Sequence, residues 1–127
     1  MKKGLIIGGI FAMLAVAIGA FGAHALKDIL GSYRATYETG VQYQMFHAVA
    51  ILVCALAYEK LNSRLVGAAI ILFSAGIILF SGSLYILSIT KITVLGAITP
   101  IGGVCFIAAW ICFIIAAAKS RPTFRSF

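Results

Sequence analysis

The chain has 127 residues, of which 63% are hydrophobic and 10% charged, with a formal net charge of +7. A soluble domain carries about 25% charged residues, so a water-soluble fold is excluded: it could not hide this much apolar sequence. The basic excess does not indicate nucleic acid, because no aromatic-basic interleaving or known binding module accompanies it.

Four apolar stretches, at about 4–26, 41–58, 65–90 and 92–118, fill almost the whole chain. Each approximates the ~20 residues that cross a bilayer core as a helix. The first follows Lys2 and Lys3. With Ala23-His24-Ala25 it has the outline of a signal peptide, but its apolar run exceeds the usual 7–15 residues. We therefore read a retained helix, with these small residues as a close-packing end. Gly8, Ala12, Ala15, Gly19 and Ala23 recur at helical spacing and are expected to face other helices.

The connection to the second stretch carries Leu26, Ile29, Leu30, Tyr33 and Tyr37 at helical spacing, with Lys27, Asp28, Arg34 and Glu38 between them. This pattern predicts a short amphipathic helix at the membrane interface. Thr36 or Thr39 would cap the second span, whose first two turns hold Gln42, Gln44 and His47. Residues 59–64 are a short polar connection.

The third span carries Ser81, Ser83 and Tyr85 in its last three turns, and Lys91 marks a tight turn. The fourth carries Thr99 and Pro100 near its start, where proline could loosen the backbone. Cys105, Ala109, Cys112 and Ala116 form its small-residue stripe. A basic tail, 119–127, would lie against anionic headgroups.

Lys2, Lys3, Lys60, Arg64, Lys119, Arg121 and Arg125 fall on one side of the membrane, and Lys27, Arg34 and Lys91 on the other, offset by Asp28 and Glu38. The positive-inside rule then puts both termini in the cytoplasm. In that topology all four helices bring polar residues to the same outer half: His24, Gln42, Gln44, His47, Ser81, Ser83, Tyr85, Thr99 and Pro100. Such residues either lock the bundle by hydrogen bonds or form a ligand or proton site. His24 and His47, expected near one depth, could hold a haem or help bind a metal, or respond to pH. No local haem or metal signature supports the first option.

No catalytic constellation is visible. Asp28, Glu38 and Glu59 lie at the surfaces, and Phe80-Ser81-Gly82-Ser83 is not a nucleophile elbow. Cys54, Cys105 and Cys112 sit within spans and make no disulfide framework. No acidic residue lies mid-span to form a channel ring.

Four runs carry a resemblance in this order: GAFGAHAL (19–26), TGVQYQMFH (39–47), FSGSLY (80–85) and LGAITPIGG (95–103). Together they resemble the YgdD/YwdK-like family of small bacterial integral membrane proteins, a domain of unknown function. The resemblance covers nearly the whole chain. It implies a membrane location and supplies no reaction, substrate or cofactor. His24, Gln42, Gln44, His47, Ser81, Ser83, Thr99 and Pro100 are the matching polar positions.

The expectation is one all-α membrane domain over residues 1–127: a four-transmembrane-helix bundle with cytoplasmic termini and an interfacial helix. Its expected role is non-enzymatic, in the plasma membrane, supporting membrane integrity or another membrane protein. Its expected partners are lipids, a second copy or another membrane protein, and not nucleic acid. The cofactor is left unknown. Two alternatives stand beside this: a small-molecule, lipid-headgroup, haem or metal binder, and an oligomeric proton or small-solute transporter.

Overall fold

Lipid offers the backbone no hydrogen bonds, so a spanning segment must satisfy its own. In the computed structural model, which describes residues 1–61 and 63–120, this is done by helices throughout. They are α1 (Lys2–His24), α2 (Lys27–Leu30), α3 (Arg34–Ala57), α4 (Ser63–Gly76), α5 (Gly82–Thr90) and α6 (Thr99–Ala118). Turns of 3₁₀ helix at Gly31–Tyr33 and Thr93–Ala97, and a π turn at Ile77–Ser81, join some of them. No strand occurs among the described residues. The spans Lys2–His24, Lys27–Ala57, Arg64–Thr90 and Thr93–Ala118 are long and apolar enough to cross a membrane. The expected basic tail lies outside the described residues from Arg121 onward.

α1 packs along α3, and α6 packs along α4 and the π turn; α3 joins the two pairs. Of each span's most apolar stretch, 44% is buried in the second and 17% in the first, so α3 is central and α1 peripheral. Small residues on α1 permit its close approach. Gly4 lies against Ala55, Gly8 against Leu52 and the Ala48 carbonyl, and Gly22 against the Tyr37 ring. Gly8, Ala15 and Gly22 are buried, whereas Ala23 is exposed. Steps of seven residues keep to one seam on a helix, and from Gly8 and Ala15 they reach Gly22. Ala23 falls one position round. Ala23-His24-Ala25 is thus an exposed end, not a packed one. On α6 the buried seam is Gly102, Phe106, Ala109 and Ala116, with Cys105 and Cys112 half-buried on its flank.

Phe73, Ile51, Val66 and Cys54 form the centre of the core, joined by Ala69, Ile70 and Phe106. Large aliphatic side chains such as Met13, Leu56, Ile71, Val104 and Ile107 point outward, as lipid-facing residues would.

The first connection departs from expectation. Gly31 takes φ +52° and divides the amphipathic run. On its N-terminal side stands a helix of only four residues, and beyond a 3₁₀ turn on its C-terminal side α3 starts at Arg34. Leu30 (0% exposed) and Tyr37 (3%) turn into the bundle. Thr39 does not cap a helix; its hydroxyl donates to the Ala35 carbonyl at 2.9 Å from inside α3. Arg34 and Glu38, paired at 3.1 Å on one face, let the helix begin two turns earlier than hydropathy suggests.

The proline also plays a different part. Pro100 sits in the first turn of α6, where a helix needs no N–H donor. It starts that helix and does not loosen its middle. Lys91 closes α5 in the left-handed region (φ 62°), its N–H donating to the Leu87 carbonyl at 2.7 Å. Its Nζ donates to the Ile29 carbonyl at 2.9 Å and lies 5.6 Å from the Tyr33 ring centre. The tight turn is thereby tied to the first connection.

Candidate functional site

Gln44 projects from the middle of α3 and is 3% exposed. Its amide Nε2 donates to the Phe11 carbonyl of α1 at 2.9 Å, and its Oε1 accepts from the Tyr85 hydroxyl of α5 at 2.6 Å. One side chain therefore links three elements. The Tyr85 ring rests 5.2 Å from the Tyr37 ring, whose hydroxyl donates to the Ile18 carbonyl at 2.7 Å. Gly40 makes room: a Cβ there would lie 2.8 Å from the Tyr85 ring. The Gly40 carbonyl accepts from the fully buried Ser81 hydroxyl at 2.7 Å. Ser83 and Thr99 share a 2.6 Å hydrogen bond between α5 and α6.

A second group lies deeper. His47 Nδ1 is 2.8 Å from the Tyr43 carbonyl, which can only accept. His47 Nε2 is 3.3 Å from Trp110 Nε1, which can only donate. The two contacts together define a neutral imidazole protonated at Nδ1. Phe106 stacks on it at 3.7 Å with planes 7° apart.

The candidate residues therefore divide. Gln44 meets Tyr85, Ser83 meets Thr99, and Ser81 reaches Gly40. His24 and Gln42 are exposed, and Pro100 is exposed at the start of α6. His24 does not approach His47. It lies beyond Gly22, which packs on Tyr37, and His47 is ten residues further along α3, about 15 Å of rise. With both nitrogens of His47 engaged, this pair does not fit an axial haem site. Among the described residues, no group of three His, Cys, Asp or Glu could hold a metal.

Tyr37 was read as an interfacial residue and Trp110 was not singled out, although both anchor the network. Their hydrogen-bonding rings at membrane depth are the signal that could have found them. We expect a double-mutant cycle of Gln44→Leu and Tyr85→Phe to give a coupling of about 0.6–1.7 kcal/mol, the range of interhelical hydrogen bonds in membranes. Unfolding by SDS titration in micelles measures it, and additive effects would show that the contact carries no energy.

Cavities flank the network, one of about 340 Å³ beside Tyr43 and His47 and two that adjoin each other. A groove of about 750 Å³ lies between α1 and α6 on a floor of α3, lined mainly by apolar side chains such as Val16, Val49, Val53 and Phe113. Its end meets a smaller pocket of about 220 Å³ bearing Arg34, Glu38 and Tyr37. Gly19, Val41 and Gln42 line both.

Residues 18–103 match the family described as "Protein of unknown function (DUF423)". The chain belongs to the DUF423 family. It is 53% identical over 121 residues to the UPF0382 membrane protein YwdK of Bacillus subtilis (strain 168), covering 94% of this chain and 98% of that protein. UPF0382 membrane proteins of Staphylococcus aureus (strain bovine RF122 / ET3-1) and Staphylococcus epidermidis (strain ATCC 12228 / FDA PCI 1200) are 48% and 46% identical, again over 94% of this chain and 98% of each relative. No solved structure matches this DUF423 chain. The DUF423 match takes in Gln44, His47, Ser81 and Thr99 but ends before Trp110.

Proposed function

We propose that this DUF423 protein is a non-catalytic plasma-membrane bundle with both termini in the cytoplasm, supporting the membrane by holding a membrane component against its side. The observation that carries this reading is the contrast between core and flank. Among the described residues, every buried side-chain nitrogen and oxygen has a hydrogen-bond partner, so the polar core is committed to joining helices. On the flank, between α1 and α6, lies an apolar groove of about 750 Å³. A catalytic site needs a reactive group free to meet a substrate, and the engaged Ser81, Ser83 and His47 do not offer one. The excess of basic residues at the end bearing Lys2, Lys3, Lys60 and Arg64 supports the orientation.

Deletion of the gene, followed by dye entry under osmotic shock, tests the role. Loss of barrier function on deletion is expected, with full rescue by the wild-type chain and by His24→Ala. A deletion strain with an unchanged barrier would sink the membrane-supporting reading. In the same cells, Lys91→Cys should react with an impermeant thiol reagent and Lys60→Cys should not; the reverse pattern would invert the topology.

A further inference from the structure

The geometry points to a specific occupant of the α1–α6 groove: one acyl chain of a phosphatidylethanolamine-type phospholipid, its headgroup held by Arg34 and Glu38. This rests on the proposed reading of a bundle that holds a membrane component, and names that component.

The groove has the dimensions of one chain in one leaflet. Its α3 wall runs from Val41 to Val53, about 18 Å of helix rise, a little over half the ~30 Å hydrocarbon core. Its wall is apolar along this length, so water is not its natural content. At the end away from the basic termini it runs into the pocket of Arg34 and Glu38, with Gln42 on the shared border. An apolar channel that opens beside a charged pair at the membrane surface fits an amphiphile. A transmembrane helix of a second copy is the competing occupant, and the particle mass below separates the two.

The charges select among headgroups. Arg34 Nε donates to Glu38 Oε1 at 3.1 Å, and both side chains are about half exposed, at 49% and 56%. The guanidinium retains donors for a phosphate, and Glu38 retains an oxygen for a cation. A cation and an anion side by side match a phosphate followed by an ammonium. A phosphatidylglycerol headgroup satisfies Arg34 only and meets the negative Glu38. A choline headgroup has charge but no N–H to donate to the carboxylate.

Trp110 is the only tryptophan of the chain and lines the groove, so its fluorescence reports occupancy. The full-length protein is placed in vesicles where a fixed fraction of one lipid carries brominated acyl chains, which quench tryptophan on contact. Brominated phosphatidylethanolamine should quench about threefold to fivefold more effectively than brominated phosphatidylglycerol, the gain from one matched charge at a membrane surface. Phosphatidylcholine should fall between. Glu38→Gln should bring the ratio toward one. Val49→Phe, which fills the groove from a side chain already exposed, should lower quenching by every brominated lipid, while circular dichroism stays unchanged.

Equal quenching by all three headgroups, with the Val49→Phe effect intact, would overturn the headgroup assignment and leave the bundle reading standing. A doubled particle mass with quenching insensitive to brominated lipid would give the groove to a second copy and overturn the lipid assignment. Failure of the barrier phenotype with lipid selection intact would instead remove the membrane-supporting role and leave the site.

Discussion

Gly102→Ala should be among the most damaging single changes in this protein, although it adds one methyl group. A Cβ at Gly102 would run into the backbone nitrogen of Phe80, with the Phe80 Cβ at 2.7 Å and its Cα at 2.8 Å. Side-chain tips can rotate away from such a contact, but a backbone in mid-helix cannot. α6 must therefore separate from the π turn at Ile77–Ser81. Overpacking of a tight interface costs about 1–3 kcal/mol, and the value here belongs at the upper end. The separation also pulls on the 2.6 Å bond between Ser83 and Thr99, one turn away. Gly103→Ala is the matched control. Its Cβ would meet only the Phe80 ring, at 4.0 Å, and alanine is the better helix former by about 1 kcal/mol. The SDS midpoint should fall sharply for the first variant and hold or rise for the second. Equal midpoints would show that α6 and the π turn are not in this contact.

Phe73→Ala tests what holds the core together. Phe73 is fully buried, with its ring 4.8 Å from Trp110 and 5.6 Å from His47. In water-soluble proteins such a truncation costs about 3–5 kcal/mol, combining lost transfer energy with a cavity. Lipid chains are as apolar as the core, so the transfer part nearly vanishes in a membrane. The cavity part remains, and a void of about 100 Å³ costs about 2.4 kcal/mol at 24 cal/mol per Å³. We therefore expect a loss of about 2–3 kcal/mol, with a shift in Trp110 emission. Ile71→Ala, at a side chain 70% exposed to the surroundings, should cost close to nothing. A loss at Ile71 comparable to that at Phe73 would mean that apolar transfer drives this fold after all.

Much of the architecture was legible because lipid allows few solutions. Long apolar runs must be helices, and the four runs of the sequence are the four spans. Helix starts were less legible. Arg34 and Glu38 read as surface residues, yet their pairing on one face carries α3 two turns further out. The first connection read as one short amphipathic helix, and the positive φ of Gly31 ends that helix after four residues. The site was legible in kind more than in geometry. Gln44, Ser81, Ser83, Tyr85 and Thr99 are joined as interhelical hydrogen bonds allow. His24 and His47 were matched by estimated depth, which assumed the later start of the second span; the earlier start puts His47 near mid-helix. Trp110 was missed because its indole N–H marks it as needing an acceptor without saying which helix supplies one. Its role depends on which way α6 faces.

The two packed pairs differ in how far each satisfies its own polar groups. The first hairpin, α1 with α3, completes two of its own ties as soon as both helices are in the bilayer: Gln44 to Phe11 and Tyr37 to Ile18. Tyr85 and Trp110 are translated later. Until they arrive, Gln44 Oε1 and His47 Nε2 are acceptors without their native donors, in a solvent that cannot supply one. The first half thus holds contacts it makes alone beside acceptors that only the second half satisfies.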